Sequence, residues 1–519
     1  MSYRNKRGAL LVVIVTALTA IPAFAASEPE PPRFQARGFE IEGELPIPRE
    51  QAQVVLAPFV GESVGLEQLQ GAAKALEAEL SARGHAFYRV VLPPQTLEGS
   101  VVRLRVLPFK LAGIAVSGNH NFSNENVLAS LPALRQGESP NVARVARNRA
   151  HVNEHPAKRV EVTFQQSRMP DAVDADVKVQ DSPPLSVYAS LQNTGEDRTG
   201  DWRATVGVRH GNLFDRDHAL SASYTSSPGH WGDVRQYGMF YTVPFYAQGG
   251  SLTAFASYSN VNSGTIADAF QVSGGGKFFG ARWKQHLVPV GAYSHSLEAG
   301  AEDRFFDNSV VFGAAQIGVN VRSQPLSLGY QGRYDMAGGS LGGSLGYARN
   351  LGGGGDNTDA AYLGNRAGAK RDWDAWRFSL EGGWALGRWT LGAQMQGQYA
   401  DEPLIPGEQF GIGGAQSVRG LNEREASGEN GHSLSLEASA PLPWEGARAV
   451  LFADNGEVWA KNPAAGQIAR QDASSVGAGL RWGDGRRLSF TLDAAHVLNG
   501  TASTEAGRNR AHAALQVQF

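Results

Sequence analysis

Two kinds of pattern in this chain have the residue types and spacing of catalytic chemistry. His151-Val152-Asn153-Glu154-His155 fits H-x-x-E-H, in which two imidazoles on one helical face hold zinc beside a carboxylate base. Pro156 follows His155 directly and biases it away from the helix, so an exposed polar helix end is the better reading. G-x-S-x-G occurs around Ser63, Ser340 and Ser344. A nucleophile elbow needs a strand running into a helix. Ser340 and Ser344 lie in a Gly-rich strand or turn, and Ser63 precedes a helix that its hydroxyl would cap. With 63 glycines, chance matches are expected, and no catalytic residue, metal ligand or cofactor site is assigned. The chain is not expected to be an enzyme.

Bulk composition narrows the class. The 519 residues carry 47 Lys+Arg against 50 Asp+Glu, which excludes a nucleic-acid binder working by excess positive charge. There is no cysteine, hence no disulfide framework and no thiolate chemistry. All ten tryptophans lie from Trp202 onward, so the two parts of the chain sit in different environments. At the start, Arg4, Lys6 and Arg7 precede an uncharged run, Ala9–Ile21, and the small-x-small site Ala23-Phe24-Ala25. This reads as a signal peptide over 1–25, since 13 uncharged residues fall short of the ~20 that span a bilayer. The exported chain is then either soluble beyond the inner membrane or an outer-membrane barrel.

The elements that must position any site come in two organisations. After a short acidic, Pro-rich linker, 26–33, the chain mixes helix and strand. Leu66, Leu69, Ala73, Leu76 and Leu80 trace one face of a helix, and Val102, Leu104 and Val106 alternate with Arg103 and Arg105 in a strand. A second pass of the same kind has helical segments near Glu125–Leu131 and Val142–Asn153, then alternating strands around Val160–Phe164 and Val173–Val179. Two α+β units are expected, 34–108 and 109–182, with Asp181-Ser182-Pro183-Pro184 as boundary. From 185 to 519 the helical period vanishes and alternation takes over, as in Leu391, Ala393 and Met395 against Gln394 and Gln396. A soluble sandwich would alternate too. Three features favour a membrane barrel: segments of about 9–11 residues, aromatics toward segment ends (Tyr224, Tyr246, Tyr258, Trp389, Tyr399, Trp482), and no linker. About sixteen antiparallel strands would enclose an aqueous lumen.

Gly352–Asp356 reads as a mobile low-complexity stretch. Asp401–Asn430 is different, because Phe410, Ile412, Val418 and Leu421 are too many apolar groups for a solvated loop. Folding back into the pore would bury them. Taken alone, Arg419 at the tip is best read as an exposed loop arginine.

Here the residues resemble a known family. Phe410–Leu421, with its tip Val418-Arg419-Gly420-Leu421, is similar to the sixth extracellular loop of two-partner-secretion outer-membrane transporters, the TpsB family of ShlB/FhaC/HecB-type haemolysin secretion/activation proteins. Phe452-Ala453-Asp454-Asn455-Gly456 resembles their Phe-x-Asp-x-Gly signature on the thirteenth strand. Leu92–Leu97 with Gly99 is similar to the end of their first POTRA domain, and Asn153–Lys158 to part of the second. Phe519 fits the C-terminal signal read by the barrel-assembly machinery, and a lipid-facing strand end is compatible with that role.

The resemblance implies an all-β transmembrane barrel of about 16 strands behind two periplasmic POTRA domains. It implies translocation of a secreted TpsA-type partner (a haemolysin, adhesin or toxin) across outer-membrane lipid, without nucleotide or nucleic acid. Arg419 would pair with Asp454 in the lumen, with Gly420 and Gly456 permitting close approach. No plug helix is expected before the first POTRA, so the folded loop would close the pore. The alternatives are a related outer-membrane assembly and insertion factor, and an outer-membrane hydrolase.

Overall fold

A computed structural model of the chain describes residues 33–519, except 97–98, 197, 262–263, 267–269, 273–274, 309–310, 313–314, 317, 464–465 and 486. The expected signal peptide, the linker up to residue 32 and Leu97 lie outside the described residues.

The first unit has a three-stranded sheet with Val101–Pro108 in the middle, parallel to Gly38–Gly43 and flanked on its other side by Tyr88–Val91. Helices Arg49–Leu56 and Leu66–Ala82 accompany it. The shorter helix escapes sequence periodicity because only Ala52 and Leu56 are buried on it. Ser63 does not cap the longer one. It sits in the strand Gly61–Gly65, and the Gln68 side chain takes the Gly65 N–H at 2.9 Å instead.

The second unit repeats the plan. Ala172–Asp181 lies between Lys110–Ser117, parallel to it, and Lys158–Gln166, antiparallel to it. Helices Asn124–Ala129 and Val142–Val152 are capped by Ser123 and Asn141, whose side chains accept from the Asn126 and Arg144 N–H groups. Their apolar faces, with Val127, Val145 and Val152, and Leu131 just past the first helix, bury against Leu111, Val160 and Val177 of the sheet. The Asn153 amide then pins the next strand by bonding both the N–H and the carbonyl of Val160.

From Leu185 onward sixteen strands close into an antiparallel barrel. In chain order β1 to β8 are Leu185–Gln192, Arg203–Leu213, His218–Ser226, Gln236–Phe245, Gly250–Ser259, Gly276–His286, Tyr293–Phe306, and Val321–Ser323 continued by Pro325–Met336. Then β9 to β16 are Gly339–Asn350, Asp374–Leu386, Trp389–Tyr399, Asn430–Pro441, Ala447–Trp459, Arg470–Gly483, Leu488–Asn499 and Asn509–Gln518. Short turns join strands at the end that carries the second α+β unit, and long loops join them at the other.

Alternation decides what each face meets. Leu328, Leu345, Leu380, Leu436 and Leu451 are exposed on the outside, while Gln331, Ser344, Ser379 and Gln396 stand on the alternate positions. Exposed leucines on strand after strand suit lipid rather than water. Cross-strand aromatic rows mark the long-loop end of that band: Tyr224, Tyr237 and Tyr258 are register partners, as are Tyr347, Trp376 and Tyr399. Tyr246 departs from the expected girdle, since its hydroxyl turns to Asp217 at 2.7 Å.

The stretch Gly352–Asp356 is exposed throughout and is tied down at its end. The Asp356 carbonyl accepts from Arg322 N–H at 2.9 Å, and the adjoining helix Asp359–Asn365 buries Tyr362 against Trp373, Leu404 and Phe306. That cluster forms a cap at the long-loop end.

Candidate functional site in the barrel lumen

The sixth long loop, 400–429 between β11 and β12, turns inward. Its arms pair as a small hairpin, Phe410–Ile412 with Ala426–Gly428. Ile412, Val418, Leu421 and Ala426 pack on Val458, Ala473 and Val497 of the wall, which explains the apolar composition of the loop. At Gly456 an added Cβ would come within 2.9 Å of Val418 and 3.0 Å of Ile412. Gly420 has φ +98°, and a Cβ there would meet Val497 at 2.7 Å. The tip needs glycine on both sides of the contact.

Burial of the tip places Arg419 beside β12 and β13. Its Nε and Nη2 donate to the two carboxylate oxygens of Asp454, each at 2.7 Å, and its backbone N–H adds a third bond at 3.1 Å. Nη1 donates to Glu437 at 2.5 Å and Nη2 to Ser435 at 3.0 Å. The guanidinium also lies 3.5 Å from the centroid of the Phe452 ring. A planar fork met by a fork is the geometry that lysine cannot reproduce. Val418 and Leu421 lie in the wall cluster, and Phe452 and Asp454 are buried on β13.

Other partners were not visible in sequence. Asp493 on β15 is 3.5 Å from Arg419 and bonds Arg481 at 2.5 and 2.8 Å. His512 on β16 accepts the Gly420 N–H through Nε2 at 2.8 Å, so that nitrogen carries no proton. Each is one polar residue on a strand that alternates throughout, and nothing local distinguishes it.

The loop has two further moorings. On the ascending arm Glu408 is buried and accepts from Arg304 at 2.7 Å and Arg377 at 3.2 Å, from β7 and β10. Arg304 is shared with Glu302, which also holds Arg282 at 2.7 Å. On the descending arm Glu429 is buried against Arg366 of the fifth loop at 2.9 Å and takes the Lys461 N–H of the seventh at 2.8 Å.

Phe519 pairs by two backbone bonds with Val187 on β1, at 2.7 and 3.0 Å, and its ring is exposed. The two histidines of H-x-x-E-H are buried rather than standing on an exposed helix end, while Glu154 between them is exposed. His151 stacks on His286 of β6 at 4.3 Å, and His155 bonds the Gly211 carbonyl at 2.6 Å. Glu154 meets Lys284 at 2.9 Å. His286 also lies 3.5 Å from Glu154, whereas His155 turns to a different strand, so the two imidazoles do not converge on one point. Ser340 and Ser344 both lie inside β9 rather than at a turn from strand into helix; Ser344 bonds the Ser379 hydroxyl at 2.7 Å.

Residues 172–482, more than half of the chain, match the family described as haemolysin secretion/activation protein ShlB/FhaC/HecB. The chain belongs to that family. Residues 34–108 match the ShlB-type POTRA domain. The chain is 24% identical over 431 residues to the outer membrane transporter CdiB-2 of Burkholderia pseudomallei, covering 79% of this chain and 70% of that one. It is 21% identical over 475 residues to the heme/hemopexin transporter protein HuxB of Haemophilus influenzae, covering 86% and 80%. In fold it is similar to CdiB from Escherichia coli, with a TM-score of 0.76 at 18% identity over 96% of this chain and 93% of that one. The protein is therefore an outer-membrane transporter of two-partner secretion. Its POTRA side is periplasmic and its long loops are extracellular.

Proposed function

We propose that the chain carries one secreted TpsA-type partner, unfolded, through its lumen to the cell surface. The POTRA units take up the partner's N-terminal segment by adding its strand to a free sheet edge, a mode that relies on main-chain hydrogen bonds. Among the described residues no fourth strand pairs with either three-stranded sheet. Folding of the partner outside gives the movement direction, and no nucleotide is spent. The barrel-assembly machinery reads the C-terminal Phe519 during insertion. The observation that carries the reading is the lumenal loop moored through Arg419. A passive barrel has no need of a desolvated arginine fixed to its wall, whereas a transporter needs a closed resting state that can be opened.

Replacing Arg419 by Ala is expected to leave the barrel inserted and to reduce export of the partner at least about tenfold, as befits loss of a buried bidentate pair. Comparison of surface proteins with and without the gene identifies that partner. Export by Arg419→Ala at the wild-type rate would overturn the role of the loop. Deleting residues 34–108 is expected to leave ion conduction intact and to abolish partner binding. Undiminished binding by the truncated chain would contradict POTRA recognition.

A further inference from the structure

Beside and beneath the inward loop the lumen holds unlike cavities. On one side lies a cavity of about 500 Å³, lined by Arg419, Glu437, Arg481, Asp493 and Glu381, among others. A second cavity, of about 870 Å³, is lined by no residue of the loop, meets the first at Glu381, and opens against the second POTRA unit, at helix residues Ala146 and Arg149 and at Val160 and Glu161 of the Lys158–Gln166 edge strand. Its barrel wall includes Gln331, Ser344 and Ser379. The same three residues line a further cavity of about 450 Å³ that ends at Glu408, Arg304 and Phe306. The two are thus stacked on one wall, leading from the POTRA edge to the underside of the extracellular cap.

That wall has a distinct chemistry. Gln331, Ser344, Ser379, Gln396 and Ser433 are successive register partners across β8, β9, β10, β11 and β12. None is charged, and every one both donates and accepts hydrogen bonds. Such a row can satisfy the amides and carbonyls of an extended main chain whatever its side chains, with Arg333, Arg377 and Glu381 flanking it two residues away on the same faces of β8 and β10. Above the row the passage is shut by the Glu408 clasp: Arg304 and Arg377 hold the carboxylate, and Gln398 donates to the Glu408 carbonyl at 2.9 Å. Arg419 borders neither of these two cavities.

Resting on the transport reading above, we propose that the exported polypeptide passes between the loop and the β8–β11 wall, and that the gate is the Glu408 clasp. The ascending arm of the loop swings away from Arg304 and Arg377 while the Arg419 tip stays moored to Asp454. Arg419 is the hinge post of the loop, and Glu408 is its latch.

The test uses the full chain in planar lipid bilayers, with potassium chloride current as the probe. The natural sequence has no cysteine, so a single introduced thiol is unique. Glu408→Gln is expected to raise the open fraction about tenfold, because a buried carboxylate shared by two guanidinium groups becomes a neutral amide. Arg377→Gln, which leaves Glu408 its Arg304 partner, is the second variant and should give a smaller rise. In the Glu408→Gln background, a cationic methanethiosulfonate reagent should block current through Ser379→Cys and spare Thr491→Cys, which lines the opposite cavity. Block at Thr491→Cys alone, or variants as closed as the parent, would overturn the proposal. A gene deletion that leaves every surface protein in place would instead sink the transport reading and leave the current path standing.

Discussion

Arg419 holds the buried Asp454, so removing it strands that carboxylate, while Asp493 and Glu437 keep Arg481 as a partner. The loop tip and the Phe-x-Asp-x-Gly wall were legible because each is a contiguous, glycine-marked signature. The histidines were misread for the opposite reason. His151 looked like a polar helix end, yet the surface that buries it comes from His286 and Tyr246, far along the chain. Burial first, and then His286, lowers the pKa of His151 to about 3, with Lys284 and Arg147 acting in the same sense and Glu154 opposing. Undocked, the ring would titrate near its ordinary 6.5. Below that pH the free POTRA unit takes up a proton that the docked one refuses. Docking is therefore complete above pH 6.5 and weakens as pH falls toward about 3, by up to about tenfold per unit. Limited proteolysis of the Ser182–Pro184 junction in detergent should be faster at pH 5.5 than at 7.5, and His151→Phe should reduce the difference. Equal rates for the parent at both pH values would refute this.

Among elements, the barrel's closing seam is its shortest. β16 pairs with β1 over Ala514–Gln518, five register partners, whereas β13 and β14 share thirteen. Asn193, one residue beyond β1, lengthens the seam. Its side-chain amide donates to the Ala511 carbonyl at 2.8 Å and accepts from the Ala513 N–H at 2.7 Å, imitating another rung of backbone. Its own N–H donates to the Ala513 carbonyl at 3.1 Å. Asn193→Ala should cost about 1–3 kcal/mol by leaving the ladder groups unpaired. The checkable consequence is a lower temperature for heat-induced unfolding of the barrel in gel-shift assays, and an unchanged temperature would count against the clamp. Strand number and alternation could be read from sequence, because lipid outside and water inside impose a period of two. Seam length could not, since register depends on how a sheet closes. Nor could the sequence show that the same long loop, beyond its exposed Gly352–Asp356 stretch, buries Tyr362 and Trp373 in the cap.

At the scale of the molecule, the second POTRA unit is fastened to the barrel by a polar junction that no local motif announces. Lys158 is fully buried, and its ammonium donates to Asp217 and to Asn126, each at 2.6 Å. Asp217 also receives the Tyr246 hydroxyl at 2.7 Å and the Asn126 amide at 2.9 Å. Burial pulls the Lys158 ammonium below its ordinary value, and Asp217 opposes that shift. A charge kept in such a place needs its partner, which gives the junction a sharp energetic signature. Lys158→Ala alone leaves Asp217 desolvated and should cost about 3–5 kcal/mol. Asp217→Ala alone strands the ammonium at similar cost. The double variant should cost clearly less than the sum, with a coupling of about 2 kcal/mol or more, since neither charge remains to be solvated. Denaturant unfolding of the four proteins in detergent, followed by protease resistance of the junction, measures the cycle. Additive losses would mean that the POTRA unit is not held by this pair. The passage would then lack a fixed entrance, because the cavity beside β8–β10 is aligned with the Lys158–Gln166 edge only while the junction holds.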